Sequence, residues 1–574
     1  MVPDGERTPS EEMKSASSNN QGSDWEGNWK TSATSYLYKG ENNTLYRVEY
    51  ISKAIVVEQY DANRNVIWKK TIQPELPLWG GFFAGEKYNF IVVGQGNDNQ
   101  DDSREVLRVI RYSKNWNRID AAGVYGANTT LPFRAGGLQM EESGNYLFIH
   151  TCHQMYTSSD GRRHQANMNF QLYVPSMKFV TANSAVGNPG GDYVSHSFAQ
   201  FVMIDGDDVV KVDLGDAYPR SVTLLRINGA ANSLSFSSVE RVSMLDIKGK
   251  TGDNYTGVEI GGTAVSATHY LVAGISIDQK SESRTPSNLF VSAVPKNNLK
   301  DENVAFRWQT GFTSNVQITA PQLITVNPTR FLMMWTEGSG NSRTLKYVFL
   351  NEQGKEVSEV KTVPGLQSGC EPIIQGDQVV WYATTGGGSV FYSISLSENG
   401  LKQAGWFSTE AGTGYGKENG KAATGWLKMD NATYYMGKDG IMQTGEQIIS
   451  GKRYLFGNDG VMFTGWLVED GKLYCYAEDG HMFCDVTETV GGIEFTFLED
   501  GSVASPIPGD VTGDDLLDGR DVIRLMKWLA EETDEETGER VIISEGNADL
   551  NRDGKVDELD LLRLIKWMGG EEEK

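Results

Sequence analysis

Asp510, Thr512, Asp514, Asp518 and Asp521 stand at positions 1, 3, 5, 9 and 12 of the stretch DVTGDDLLDGRD. Asp549, Asn551, Asp553, Asp557 and Asp560 hold the same positions in a second stretch, DLNRDGKVDELD. Oxygen donors alternating along a short loop suit a hard divalent cation, because Ca2+ takes about six to eight oxygens at about 2.3–2.6 Å. The main-chain carbonyls of Leu516 and Lys555 fall at position 7 and complete each set. Two Ca2+ sites are therefore expected. Gly554 permits a left-handed turn at position 6, where the first loop has Asp515. Thr512 also replaces the amide that Asn551 supplies, so the first loop is the weaker binder on this reading. Two ordinary acidic helix N-termini would not repeat the whole donor set in register.

Each loop leads into an amphipathic helix. Val522, Leu525, Met526 and Leu529 share one helical face, as do Leu561, Leu564, Ile565 and Met568. A duplicated loop plus helix, with no helix before each loop and Asp rather than Glu at position 12, resembles the type I dockerin family. The resemblance implies a cohesin module of a scaffoldin as partner. It places cohesin contacts at Gly519, Arg520 and Lys527 and at Glu558, Leu559 and Lys566. Because the two copies differ at positions 10 and 11, it implies one preferred binding face. Calcium binding is expected to be folding as well, since loops this acidic repel themselves without a cation.

A second chemistry is aromatic. Gly405-Trp406, Gly425-Trp426, Gly445-Glu446 and Gly465-Trp466 recur every 20 residues, and Tyr434, Tyr454 and Tyr474 keep that register. So do Asp439-Gly440, Asp459-Gly460 and Asp479-Gly480. Each unit reads as a β-hairpin with an Asp-Gly turn that buries its aromatic face by stacking on its neighbours in a solenoid. About five units resemble the cell-wall-binding repeats of choline-binding and glucan-binding proteins. Glu446 and Asp485-Val486 depart from the Gly-Trp pattern. Trp406, Trp426, Trp466, Tyr435, Tyr454 and Tyr474 are the ligand-facing candidates, since aromatic faces stack on sugars and attract quaternary ammonium groups. The competing reading makes them solenoid core.

Four histidines fall between His150 and His196. His153, His164 and His196, with Arg220, are the candidate catalytic groups if loops bring them together. Surface turns are the blander reading. No nucleophile elbow, phosphate-cradling loop or zinc-binding His pair occurs in the sequence.

These groups must be positioned by a mainly β chain. Over residues 31–400, apolar runs such as TLYRVEYI, AIVVEQYD and YNFIVVGQ are bounded by turn formers. They recur in units of about 45–60 residues, which fits a β-propeller of six or seven blades, with seven preferred; a pair of β-sandwiches is the alternative. The expected organisation is a disordered leader over 1–30, the propeller-like domain over 31–400, hairpin repeats over 401–504 and a small α-helical dockerin over 508–570.

The formal net charge of −24 opposes nucleic-acid binding, which needs a basic face. No apolar run is long enough to span a bilayer. The polar leader has no signal-peptide core, and the C-terminal modules favour a trimmed signal and a secreted protein. The four cysteines (Cys152, Cys370, Cys475 and Cys484) form no zinc pattern, and a Cys475–Cys484 bridge stays open. The expectation is an extracellular component of a cellulosome-like complex that binds polysaccharide or cell-wall glycan. A complex-borne polysaccharide lyase or glycoside hydrolase is the alternative.

Overall fold

The computed structural model describes residues 6–7, 30–180, 193–231, 238–338, 343–363, 367–385, 388–429, 432–490, 493–534 and 537–569. Apart from Glu6–Arg7, the leader expected over 1–30 lies almost wholly outside them. The chain divides into two compact units, Met1–Ala423 with Lys438–Gly440, and Thr424–Gly437 with Ile441–Lys574.

The first unit is antiparallel β throughout. Its described residues form five four-stranded sheets and one nine-stranded sheet. The nine-stranded sheet joins two halves through a single residue pair, Ala166 with Ser195, so the strands group naturally into seven units. Within a unit the sequence decides which strand lies inside. Tyr88–Gly94 is apolar but for Asn89 and buried on both faces, Val258–Val265 alternates buried and half-buried residues, and Val66–Ile72 carries lysines and is largely exposed.

Side-chain packing links these units in an unbroken order. Val57 and Tyr38 of the first sheet pack with Phe82 and Ile91 of the second, and Val92 and Val109 pack with Leu147 and Phe170 of the third unit. Phe148 reaches Val202 and Val209 of the fourth, and Leu224 meets Tyr270 and Phe290 of the fifth. Leu271 then meets Phe331 and Trp335, and Leu332 meets Trp381 and Tyr392. The order returns to its start where Leu37, Leu45 and Tyr60 of the first sheet pack with Val380, Tyr382 and Phe391 of the last. At that seam the buried Arg47 guanidinium lies 3.4 Å from the Tyr382 ring centroid and its Nη2 bonds Glu49 at 2.7 Å. Glu6–Arg7 adds a strand to the same last sheet. Sheets packed in this order are compatible with the propeller expectation, and the third unit departs from four strands because Thr129–Pro132 and Leu138–Ser143 both pair with Tyr146–Thr157.

Five two-stranded hairpins follow. The first, Gly405–Thr409 with Gly412–Gly416, belongs to the first unit. The other four begin at Gly425, Gly445, Gly465 and Val486. The Asp-Gly pairs at 439-440, 459-460 and 479-480 do not close these hairpins, contrary to the sequence expectation. The tips are Ser450-Gly451 and Asp470-Gly471, with positive φ at both residues as a tight hairpin turn demands. Asp459-Gly460 and Asp479-Gly480 instead turn the chain between hairpins. There a Cβ on Gly460 or Gly480 would sit 2.2 Å from the Met442 or Met462 sulfur of the preceding unit, so glycine lets successive units stack. The stack is stitched by main-chain bonds at the repeat period: Met462 N–H to Thr433, Met482 N–H to Arg453 and Val503 N–H to Leu473.

The second unit ends in helices Gly519–Leu529, Glu545–Ala548 and Glu558–Gly569. Their buried stripe differs from the expected one. Leu525, Leu564 and Trp567 are buried, whereas Met526 and Ile565 are about half exposed. The face turned inward is set by what it packs against, the last two hairpins: Trp466, Leu473, Phe495 and Phe497 share one core with Leu517, Leu525, Leu564 and Trp567.

Candidate calcium-binding and aromatic sites

The two acidic loops are built on the same hydrogen-bond scaffold. In the first, Asp510 at position 1 accepts the N–H groups of Asp514 and Asp515 at 3.2 and 2.8 Å. In the second, Asp549 accepts those of Asp553 and Gly554 at 3.1 and 2.9 Å. Position 12 works likewise. Asp521 accepts from Thr512 and Asp518 at 3.1 and 2.8 Å, and Asp560 from Asn551 and Asp557 at 3.0 and 2.9 Å. Position 6 takes the left-handed backbone in both, with φ of 62° at Asp515 and 85° at Gly554. Asp515 thus adopts the turn that glycine makes freely, at a cost.

Donor chemistry fits Ca2+: four carboxylates per loop, with the Asp510, Asp521 and Asp560 side chains buried in an acidic segment. Burial pushes the Asp521 carboxyl above its ordinary pKa. Among the described residues, no three His, Cys, Asp or Glu groups converge as a metal cluster; the scaffold bonds above hold the carboxylates in the loop.

The first loop has an internal cation. Arg520 Nη2 lies 2.9 Å from Asp514 and 2.7 Å from Asp518. Its hydrogen bond holds the Asp518 carboxyl below the usual range. The second loop has Leu559 at the equivalent position. Of the residues assigned to cohesin contact, Gly519, Arg520, Lys527, Glu558 and Leu559 are exposed and Lys566 half-buried. Ile523, Met526, Leu559, Leu562 and Ile565 add exposed apolar surface on the same two helices. Helix position alone would have found this stripe. A depression of about 490 Å3 opens beside the first loop, lined by Thr512, Asp514, Arg520, Ile523, Arg524 and Lys527 among others.

The aromatic candidates separate into two environments. Trp426 is 46 % exposed and stands edge-on to Tyr435 at 5.0 Å and to Tyr454 at 4.9 Å, one ring from its own hairpin and one from the next. Trp406 pairs edge-on with Tyr415 at 5.3 Å within the first unit. Trp466, grouped with them by sequence register, is 2 % exposed and lies against Phe495 at 4.7 Å and Trp567 at 4.9 Å, so it is core. Tyr474 is half-buried. The sequence register could not distinguish Trp466, because the ring that covers it lies in a different module.

The histidine cluster is divided as well. His153 is fully buried beside Thr129, and burial lowers its pKa to about 3. His150 is buried between Asn169 and Asp213, at 2.5 and 3.0 Å. His164 and His196 do meet, stacked at 6.0 Å; His164 bonds Asp160 and His196 lies 2.9 Å from the buried Asp216. Arg220 spends its guanidinium on the carbonyls of Asp216, Lys248, Asp253 and Tyr255. None of the four cysteines forms a disulfide, so Cys475 and Cys484 are not bridged. No described helix is long and apolar enough to cross a membrane.

Residues 508–568 match the family model of the dockerin type I domain. Residues 443–485 match the choline-binding repeat, and 424–442 a putative cell wall binding repeat. The chain thus carries a C-terminal type I dockerin preceded by cell-wall-binding repeats. Among solved structures, the choline binding domain of Spr1274 in Streptococcus pneumoniae is 31 % identical, over 11 % of this chain and 94 % of that one, with a TM-score of 0.11. Choline binding protein F from the same organism is 17 % identical over 39 % of this chain and 72 % of its own, with a TM-score of 0.20. The N-terminal domain of Nup159 is 7 % identical over 66 % and 92 %, with a TM-score of 0.34. These TM-scores are too low to bear on the fold. No curated protein matches the chain.

Proposed function

We propose that this chain is a secreted component of a cellulosome-like complex, held by Ca2+-dependent binding of its dockerin to a scaffoldin cohesin. The observation that carries the proposal is the scaffold formed twice, position 1 on positions 5 and 6 and position 12 on positions 3 and 9, in a segment that matches a dockerin model. Two Ca2+ ions would be held by Asp510, Thr512, Asp514, Asp518 and Asp521 with the Leu516 carbonyl, and by Asp549, Asn551, Asp553, Asp557 and Asp560 with the Lys555 carbonyl. Calcium neutralises the loop charge, and the exposed stripe on the two helices provides the docking face.

The repeats supply the second half of the proposal: Trp426, Tyr435 and Tyr454 form an aromatic site for polysaccharide or cell-wall glycan. Cyclically packed sheets in the first unit support a seven-bladed propeller, read here as a non-catalytic binding or adhesion domain. His153 is sealed in and Arg220 committed to carbonyls, so a lyase or hydrolase reading would rest on His164 and His196. The deciding experiment is binding of the full chain to a panel of type I cohesins with Ca2+ and with EGTA. Calcium-dependent capture is expected; no capture by any cohesin, in a chain that binds calcium, would overturn complex membership. Turnover of plant polysaccharide, lost on His196→Ala, would replace the binding role with an enzymatic one.

A further inference from the structure

A stack of hairpins has an end, and the end face must be covered. Each hairpin buries its aromatics against the next, so the last leaves a face with no successor. Here Phe495 and Phe497 of the final hairpin are 2 % and 1 % exposed nonetheless. Trp567, on the last dockerin helix, belongs to the core that buries them: its ring lies 5.9 Å from Phe495 and 4.9 Å from Trp466.

The join reaches the first calcium loop through the main chain. Leu517 N–H donates to the Gly471 carbonyl at the tip of the fourth hairpin, at 2.7 Å. The Leu516 side chain covers that tip so closely that a Cβ on Gly471 would lie 2.8 Å from its Cδ2. The carbonyl of Leu516 and the N–H of Leu517 belong to one rigid peptide plane, and in a trans peptide they point opposite ways. One end of that plane is the position 7 donor of the loop; the other end holds the hairpin.

We infer that the dockerin is the C-terminal cap of the hairpin stack, and that calcium binding in its loops and the integrity of the last two repeats form one folding equilibrium. The dockerin is then no freely tethered plug, and removing calcium loosens the wall-binding array from its end inward. This inference rests on the calcium reading above and adds the coupling to it.

Amide hydrogen exchange on the full chain, compared in Ca2+ and in EGTA, tests both and separates them. Exchange within 508–568 reports calcium binding itself. Expected on calcium removal is acceleration by about tenfold or more there and in Gly465–Tyr476 and Val486–Phe497, with little change in Gly425–Met436. If 508–568 responds to calcium and the last two hairpins do not, the coupling is wrong and the calcium reading stands. If 508–568 does not respond either, both fall. Trp567→Ala supplies the second arm: its loops should still bind calcium, while both hairpins exchange quickly with or without the ion. Hairpin protection that stayed calcium-dependent in this variant would overturn the cap. Should the variant not fold, the comparison on the unaltered chain still decides.

Discussion

Trp466 and Trp567 face each other at 4.9 Å between ring centroids, with their planes 35° apart. One belongs to a wall-binding hairpin and the other to the last dockerin helix, and both are buried to within 2 %. Their contact puts the two modules in one core.

Removing that contact should be costly. Trp567→Ala is expected to lose about 3–5 kcal/mol from the second unit, the usual penalty for emptying a buried aromatic site. Trp567→Phe should lose less, because it keeps a ring in the site and the indole N–H it removes has no hydrogen-bond partner among the described residues. Urea unfolding in saturating calcium, followed by tryptophan fluorescence, measures both. Equal losses would show that the retained ring does not fill the site.

Arg520 sets up a contest for the first loop. Its guanidinium engages Asp514 and Asp518, two of the carboxylates a cation needs, while the second loop has Leu559 at the equivalent position. Calorimetric titration should therefore resolve unequal sites, and Arg520→Ala should tighten the weaker one a few-fold. The gap should also narrow at high salt, since exposed pairs are screened. Unequal sites that ignored the substitution would lay the weakness on Thr512 and Asp515 instead.

Trp426 and Trp466 share a register and should respond in opposite ways. Trp426→Ala, at a half-exposed ring, is expected to leave thermal stability nearly intact and abolish retention on insoluble glucan or choline resin. Trp466→Ala should instead unfold the last hairpins, costing about 3–5 kcal/mol. Retention unaffected by Trp426→Ala would remove the aromatic site from the proposal.

His153 gives the first unit an acid limit. Its pKa is about 3 when folded and ordinary when unfolded, so the unfolded chain takes up the proton first as pH falls. The stabilisation is complete above about pH 6.5 and is lost toward pH 3, at up to about 1.4 kcal/mol per pH unit. His153→Gln should flatten the fall in urea midpoint between about pH 7 and pH 4. A variant as acid-sensitive as the parent would place the titrating group elsewhere.

The two matched acidic loops were legible because their repeated oxygen-bearing residues lie within twelve positions of one another, and local spacing survives folding unchanged. The hairpins were legible from their period. Their turns were not: Asp-Gly is a strong hairpin-tip signal, yet here Gly460 and Gly480 serve stacking on methionines, a contact between neighbouring units. The helical faces were half right. Leu525 and Leu564 point inward as read, but Met526 and Ile565 turn outward because the hairpins, not the other helix alone, define the inside. His153 and His196, grouped by proximity in sequence, ended in different surroundings because they lie on different strands, Tyr146–Thr157 and Ser195–Asp205.

The shared core has a mechanical meaning. A pull exerted between whatever grips the outer faces of the two long helices and whatever grips Trp426 runs through stacked hairpins and the Trp466–Trp567 contact. Such a joint transmits orientation as well as load, so a particle held at one end would be presented to the other at a fixed angle.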